Sequence, residues 1–215
     1  MIESLKALYL LQIELGGVTV QEMAARFNRE KRKVIKDLDE LIFRGFALQL
    51  EPKQDEATPS PDSSPKYVLS EKGRTRLKVV VTTGVFDLLH VGHLVTLEAS
   101  RTLGSLLLVI IARDVTVQSR KGRKPINSEE DRRKLIEALK PVDAAFLGHT
   151  SDYLRIIHRM NPDLIVLGKD QKFDIDELRR QLDERGLQDV KVVRLDQELE
   201  GMHSSNLIEK LMNNR

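Results

Sequence analysis

The sequence predicts a doubly wound α/β domain on a five-stranded parallel sheet, preceded by a small domain of helices and one hairpin. Two observations carry that reading. From Lys78 onward, short runs of aliphatic and β-branched residues alternate with helical patterns, the order that builds an open parallel sheet covered on both faces. Before Lys78 the apolar spacing is close to 3.6 instead, broken once by the proline-rich stretch Ala57 to Pro65.

In the first domain, Leu5, Leu8, Tyr9, Leu11 and Leu15 give a helix from Ile2 to Leu15, ended by Gly16-Gly17. Thr19 with Glu22 forms a capping-box pattern for a helix from Val20 to Phe27. A third helix begins near Asn28, turns Val34, Ile35, Leu38, Leu41 and Ile42 inward, and ends at Gly45. Leu48 and Leu50 before the proline-rich stretch, and Tyr67 to Leu69 after it, read as two strands of a long hairpin with that stretch at its tip. Ser70 then caps a short helix through Leu77, and the domain border falls near Lys78 with almost no linker, giving domains 1–77 and 78–215.

In the second domain the expected strands are Val79 to Thr83, Leu106 to Ala112, Ala144 to Leu147, Leu164 to Leu167 and Val190 to Leu195. Helices are expected at Val91 to Leu103, Ser128 to Leu139, Asp152 to Met160 and Asp174 to Arg185, with a last one over Ser204 to Met212. Strands with so little polar alternation are those buried on both faces.

Composition narrows the function classes. A net charge of +2 over 215 residues predicts neither nucleic-acid nor membrane binding as a whole, so local clusters must carry either. The absence of cysteine removes disulfides, thiolate catalysis and cysteine-ligated metal sites. No run approaches the length of a bilayer-spanning helix, and with no signal peptide at the start the expectation is a cytoplasmic protein without a membrane partner.

The chemistry is expected where the first parallel strand ends. Thr83-Gly84-Val85-Phe86-Asp87 leads through Leu88-Leu89 to His90-Val91-Gly92-His93, at the edge of the sheet where such folds bind ligands. Gly92 lies at a helix start, where backbone N–H groups and the helix dipole favour a phosphate. His90 and His93 are three residues apart, so both project from one face of the first turn toward the oxygens of a triphosphate. A single histidine there would read as a cap; two, with glycine at the entry, point to catalysis. The patterns H-E-x-x-H, G-x-x-x-x-G-K and G-x-G-x-x-G do not occur. Asp87 either caps the turn or reaches a Mg²⁺ through water. The run Arg120 to Lys124 is a solvated basic loop or, given its place after the second strand, a phosphate clamp. His149 and His158 read as structural.

Gly84 to His93 resembles the signature of the cytidylyltransferase-like nucleotidyltransferases, a Rossmann-like superfamily, and the likeness runs from about Val79 to Leu211. Three further segments are similar to archaeal FAD synthases: Ala112-Arg113-Asp114 with Arg120 to Pro125, Glu137 to Asp143, and Leu167 to Asp174. The resemblance implies AMP transfer from ATP to FMN, with Mg²⁺ accompanying ATP and no tightly bound, protein-ligated metal. It implies that His90 and His93 hold the triphosphate, that Lys121 clamps its β- and γ-phosphates, and that Arg120 and Arg132 assist. Gly168, Asp170 and Gln171 would lie beside the nucleobase. Ser204 and Ser205 would receive the leaving pyrophosphate, although His203 and Glu198 depart from the family pattern there. A cytidylyltransferase acting on an alcohol phosphate, and a flavin-nucleotide-sensing regulator, are the alternatives.

The first domain resembles a winged helix-turn-helix, in which the third helix would read DNA. Arg29, Lys31, Arg32, Lys33 and Lys36 place five positive charges against one negative, Glu30, on its N-terminal half. Lys53 and Lys66 flank the hairpin tip, whereas Asp55, Glu56 and Asp62 within it would repel phosphate. Docking or dimerisation is the competing use of such a domain, and a homodimer is compatible with the sequence.

Overall fold

The computed structural model describes residues 1–50, 64–169, 171 and 173–195. The chain divides into two compact units, Met1–Leu77 and Lys78–Arg215.

The first unit opens with α1 (Ile2–Leu15), whose C-cap Gly16 adopts a left-handed φ of 77° and returns its N–H to Gln12 O. Helix α2 (Val20–Arg26) is entered through the capping box: Thr19 accepts from Glu22 N–H, and the Glu22 carboxylate accepts the Thr19 N–H at 2.8 Å. Helix α3 (Lys31–Phe43) buries Val34, Leu38 and Leu41, a narrow i, i+4, i+7 seam. Ile35, expected inward, is instead 47% exposed, because it stands about 100° around the helix from Val34. Strands β1 (Ala47–Leu50) and β2 (Lys66–Leu69) pair antiparallel from Ala47 opposite Leu69 to Leu50 opposite Lys66. Val18 adds a bridge to Tyr67, and α4 (Glu71–Arg74) is capped by Ser70, which accepts from Gly73 N–H.

The second unit holds β3 (Val79–Gly84), α5 (Val91–Thr102), β4 (Leu106–Ile111), α6 (Asp114–Lys121), α7 (Glu129–Glu137), β5 (Ala144–Leu147), α8 (Leu154–Met160), β6 (Leu164–Leu167), α9 (Ile175–Asp183) and β7 (Lys191–Arg194). The strands run in the order β5-β4-β3-β6-β7, every pairing parallel. The fold class is therefore the expected five-stranded, doubly wound α/β sheet. All six residues of β4 are buried, as both-face coverage requires. Leu107, Val109 and Ile111 pack with Leu97 of α5 and Ile136 of α7, and Phe86 joins the same core.

Two aspartates fasten the strand starts: Asp163 accepts from Val79 N–H at 2.6 Å and Asp143 from Leu107 N–H at 2.8 Å. At the other edge, strand order reverses between β3 and β6. In folds of this kind ligands bind at that switch point, beyond the carboxyl ends of the strands.

Candidate active site

The turn leaving β3 is shaped by one glycine and one aromatic ring. A Cβ built on Gly84 would lie 2.5 Å from Phe86 Cε2 and 2.7 Å from Cζ, so only glycine lets the buried ring fold back over the strand end. Phe86 reaches that place with a left-handed φ of 52°, which costs a non-glycine residue of order 1 kcal/mol. Its ring sits 5.1 Å from that of His93, and the rings of His93 and His90 stack at 3.9 Å and 27°. His90 is the N-cap of α5, with extended φ and ψ, and Gly92 and His93 occupy the first helical turn. The two imidazoles thus stand together at the start of α5.

Asp87 has a defined occupation. Its buried carboxylate accepts from Ile126 N–H at 2.8 Å and Asn127 N–H at 3.0 Å through Oδ1, and Arg123 approaches Oδ2 at 3.5 Å. Asn127 Nδ2 returns a bond to the Asp87 carbonyl at 2.7 Å. The carboxylate thus ties the turn to the loop after α6 rather than capping its own turn. Among the described residues, no group of three His, Asp or Glu side chains stands close enough to hold a metal ion.

Arg132 departs from its expected part. The side chain is 0% exposed and sends its hydrogen bonds to protein: Asn127 O at 3.2 Å, Ala112 O at 2.8 Å, Asp114 Oδ1 at 2.6 Å, and Val85 O. A guanidinium enclosed in this way ties strand ends together and is not placed to touch a phosphate. Asp114 and Glu129 also accept from each other's N–H groups, and Glu129 pairs with Arg113 at 2.8 Å, so the starts of α6 and α7 are locked side by side.

Arg120 and Lys121, expected in a loop, form the last turn of α6, which Gly122 ends with a left-handed φ of 70°. Both are exposed. The Arg120 guanidinium stands 5.8 Å over the Phe173 ring, joining the end of α6 to the segment after β6. Because β4 and β6 flank β3, that contact spans the end of the central strand. Gln171 Nε2 donates to Thr83 O at the end of β3. Arg194 of β7 gathers the carbonyls of Gly168 at 3.2 Å, Phe173 at 2.6 Å, and Gln171. Thr83, Gly84, Val85, Phe86, Asp87, His90, Gly92, His93, Gly168 and Gln171 therefore gather at the switch-point edge. Asp170, Ser204 and Ser205 lie outside the described residues, as do His203, Glu198, Lys53 and the acidic residues of the hairpin tip.

Sequence reasoning missed Asn127 and Arg194. The signal for Arg194 was its place at the carboxyl end of a parallel strand; Asn127, in a Pro-Ile-Asn-Ser stretch, gave none. His149 behaves as expected, its Nδ1 accepting from Asp152 N–H at 3.1 Å.

In the first unit, Lys31, Arg32, Lys33 and Lys36 are exposed on α3. Arg29 is spent on structure, pairing with Asp37 at 3.3 Å while Asp37 accepts from Ser4 of α1 at 2.8 Å.

Comparison with known proteins follows the same lines. The model of the cytidylyltransferase-like family matches residues 81–210, which contain the strand, turn and paired histidines. The chain belongs to the cytidylyltransferase-like family. Among proteins similar to this cytidylyltransferase-like chain is the FAD synthase of Methanothermobacter marburgensis, 50% identical over 118 residues, 54% of this chain and 73% of the relative. Another is the FAD synthase of Thermoplasma acidophilum, 43% identical over 131 residues, 61% of this chain and 91% of the relative. A solved structure, a lipopolysaccharide core biosynthesis protein from Thermoplasma volcanium, is 43% identical and superposes with a TM-score of 0.55 over 58% of this chain and 99% of that one.

Proposed function

We propose that the second unit is an FAD synthase, transferring AMP from ATP to FMN and releasing pyrophosphate. The observation that carries this is the 43–51% identity to five curated FAD synthases over 114 to 137 residues. The site geometry fits the chemistry. An FMN phosphate oxygen attacks the α-phosphorus of ATP, a new P–O bond forms, and the bond from the α-phosphorus to the bridging oxygen breaks as pyrophosphate leaves. A phosphomonoester is already ionised at neutral pH, its second pKa being about 6, so the step needs no general base. The protein's part is orientation and stabilisation of charge at the moving phosphate. His90 and His93, stacked at the start of α5, supply donors there, and Arg120 and Lys121 reach toward the outer phosphates. Mg²⁺ enters with the triphosphate as part of the nucleotide substrate.

Pyrophosphate release tests the reading when ATP and CTP are crossed with FMN, riboflavin and glycerol 3-phosphate in the presence of Mg²⁺. Release confined to ATP with FMN, with FAD formed, is the expected outcome. Release with CTP and the alcohol phosphate would keep the site and replace the substrates.

For the first unit we propose a winged helix-turn-helix that binds DNA through the exposed basic face of α3. Lys31, Arg32, Lys33 and Lys36 support this reading, with Arg29 paired to Asp37, the residue that joins α3 to Ser4 of α1. A flavin-forming enzyme joined to such a module would place DNA binding, and regulation of flavin supply, in one cytoplasmic chain.

A further inference from the structure

The basic segment proposed to hold the outer phosphates is anchored by a set of partly buried hydrogen bonds. Asn127 is the joint. Its N–H and side-chain amide both engage Asp87, at 3.0 Å and 2.7 Å, and its carbonyl accepts from Arg132 Nε at 3.2 Å. Arg132 then reaches the carbonyl of Val85, two residues before Asp87, and the carbonyl of Ala112 at the end of β4. The turn from β3, the strand end of β4, and the chain leaving α6 are thus closed into one ring of bonds. Asp87 stands three residues before His90, and the ring holds both ends of the segment that carries Lys121, at Ala112 before α6 and at Asn127 six residues after Lys121.

We infer that Asp87, Asn127 and Arg132 are positioning residues that set where Lys121 and its neighbours stand relative to His90 and His93. The inference rests on the phosphate role proposed for Lys121. A ring of this kind costs nothing at the moment of reaction, because its donors and acceptors are already oriented in the free protein. Lysine in place of Arg132 would not restore it, since an ammonium cannot supply a planar fork to acceptors in several directions.

The test is a double-mutant cycle in the full chain with Asn127→Ala and Lys121→Ala. Asn127→Ala removes only the side-chain amide and leaves the backbone bonds, so the fold survives where a buried arginine substitution would endanger it. The expected result is a rise in KM for ATP of about three- to tenfold, the scale of one broken hydrogen bond. KM for FMN and Tm should stay near those of the parent. In the Lys121→Ala background the same substitution should have little further effect. An undiminished effect in that background, or a matching rise in KM for FMN, would overturn the positioning role while leaving Lys121 in place. A normal KM for ATP in Lys121→Ala alone would remove the phosphate role of Lys121 and the inference with it.

Discussion

Gly84 and Phe86 share the same few ångströms at the end of β3: a Cβ on residue 84 would lie 2.5 Å from the Phe86 ring. The ring in turn stands 5.1 Å from His93. Glycine at 84 is thereby linked, through one aromatic side chain, to the placement of a candidate catalytic imidazole. Gly84→Ala should push the ring off its seat, costing about 1–3 kcal/mol as overpacking does. Tm of the second unit should fall, and turnover should fall further than stability alone explains at temperatures well below Tm. Wild-type Tm and turnover together would show that the ring yields without consequence.

His93→Ala removes a donor from the corner where the reacting phosphate is proposed to sit. Loss of one preorganised donor reduces kcat by about two to three orders of magnitude. Steady-state kinetics should show that fall with KM for both substrates changed far less, and gel shifts by the first unit should be untouched. Near-normal turnover would take His93 out of the mechanism.

Much of the fold and site is legible in the sequence because the signals are local. The all-buried run of β4 and the glycine-entered turn before the paired histidines define the sheet and the edge that carries the candidate site. Helix α6 is hidden because Val117 is its one buried side chain, too little to show a period. Its basic last turn therefore reads as loop. Arg132 looks like a phosphate ligand because an arginine at a helix start near the ligand edge has that role available. What decides its role is the set of carbonyls from Val85, Ala112 and Asn127 that converge on it. Such convergence depends on tertiary packing between segments far apart in sequence. Arg194 is signalled by its place at the end of β7, but its partners, on the segment after β6, are set by tertiary packing.

One exposed ion pair on the second unit predicts a pH dependence of its stability. The hydrogen bond from Arg185 to Asp152, 2.7 Å long, holds the Asp152 carboxyl below its ordinary range. A depressed carboxyl stabilises the fold above the unfolded pKa of about 4, and the contribution is lost as pH falls through the lower folded value. Asp152→Asn should therefore flatten the acid side of a plot of Tm against pH and leave Tm near neutrality only slightly lower, as expected for a solvent-exposed pair. An unchanged acid limb would assign that sensitivity elsewhere.

The DNA binding proposed for the first unit predicts a particular salt signature. Lys31→Ala with Lys33→Ala should weaken gel shifts at low salt. The slope of log K against log salt should shrink by about 1 for each phosphate that the parent neutralises and the variant does not. FAD formation should be unaffected. Shifts identical to the parent would remove α3 as the contact surface, and the absence of any shift by the parent protein at low salt would remove DNA as the partner.

If the second unit moves an intact AMP group, the α-phosphorus of ATP must end in the flavin product. With ATP labelled at that phosphorus, FMN and Mg²⁺, label should appear in FAD, with one pyrophosphate released for each FAD formed. Label recovered in free AMP or phosphate, with no labelled flavin from folded protein, would refute AMP transfer to FMN.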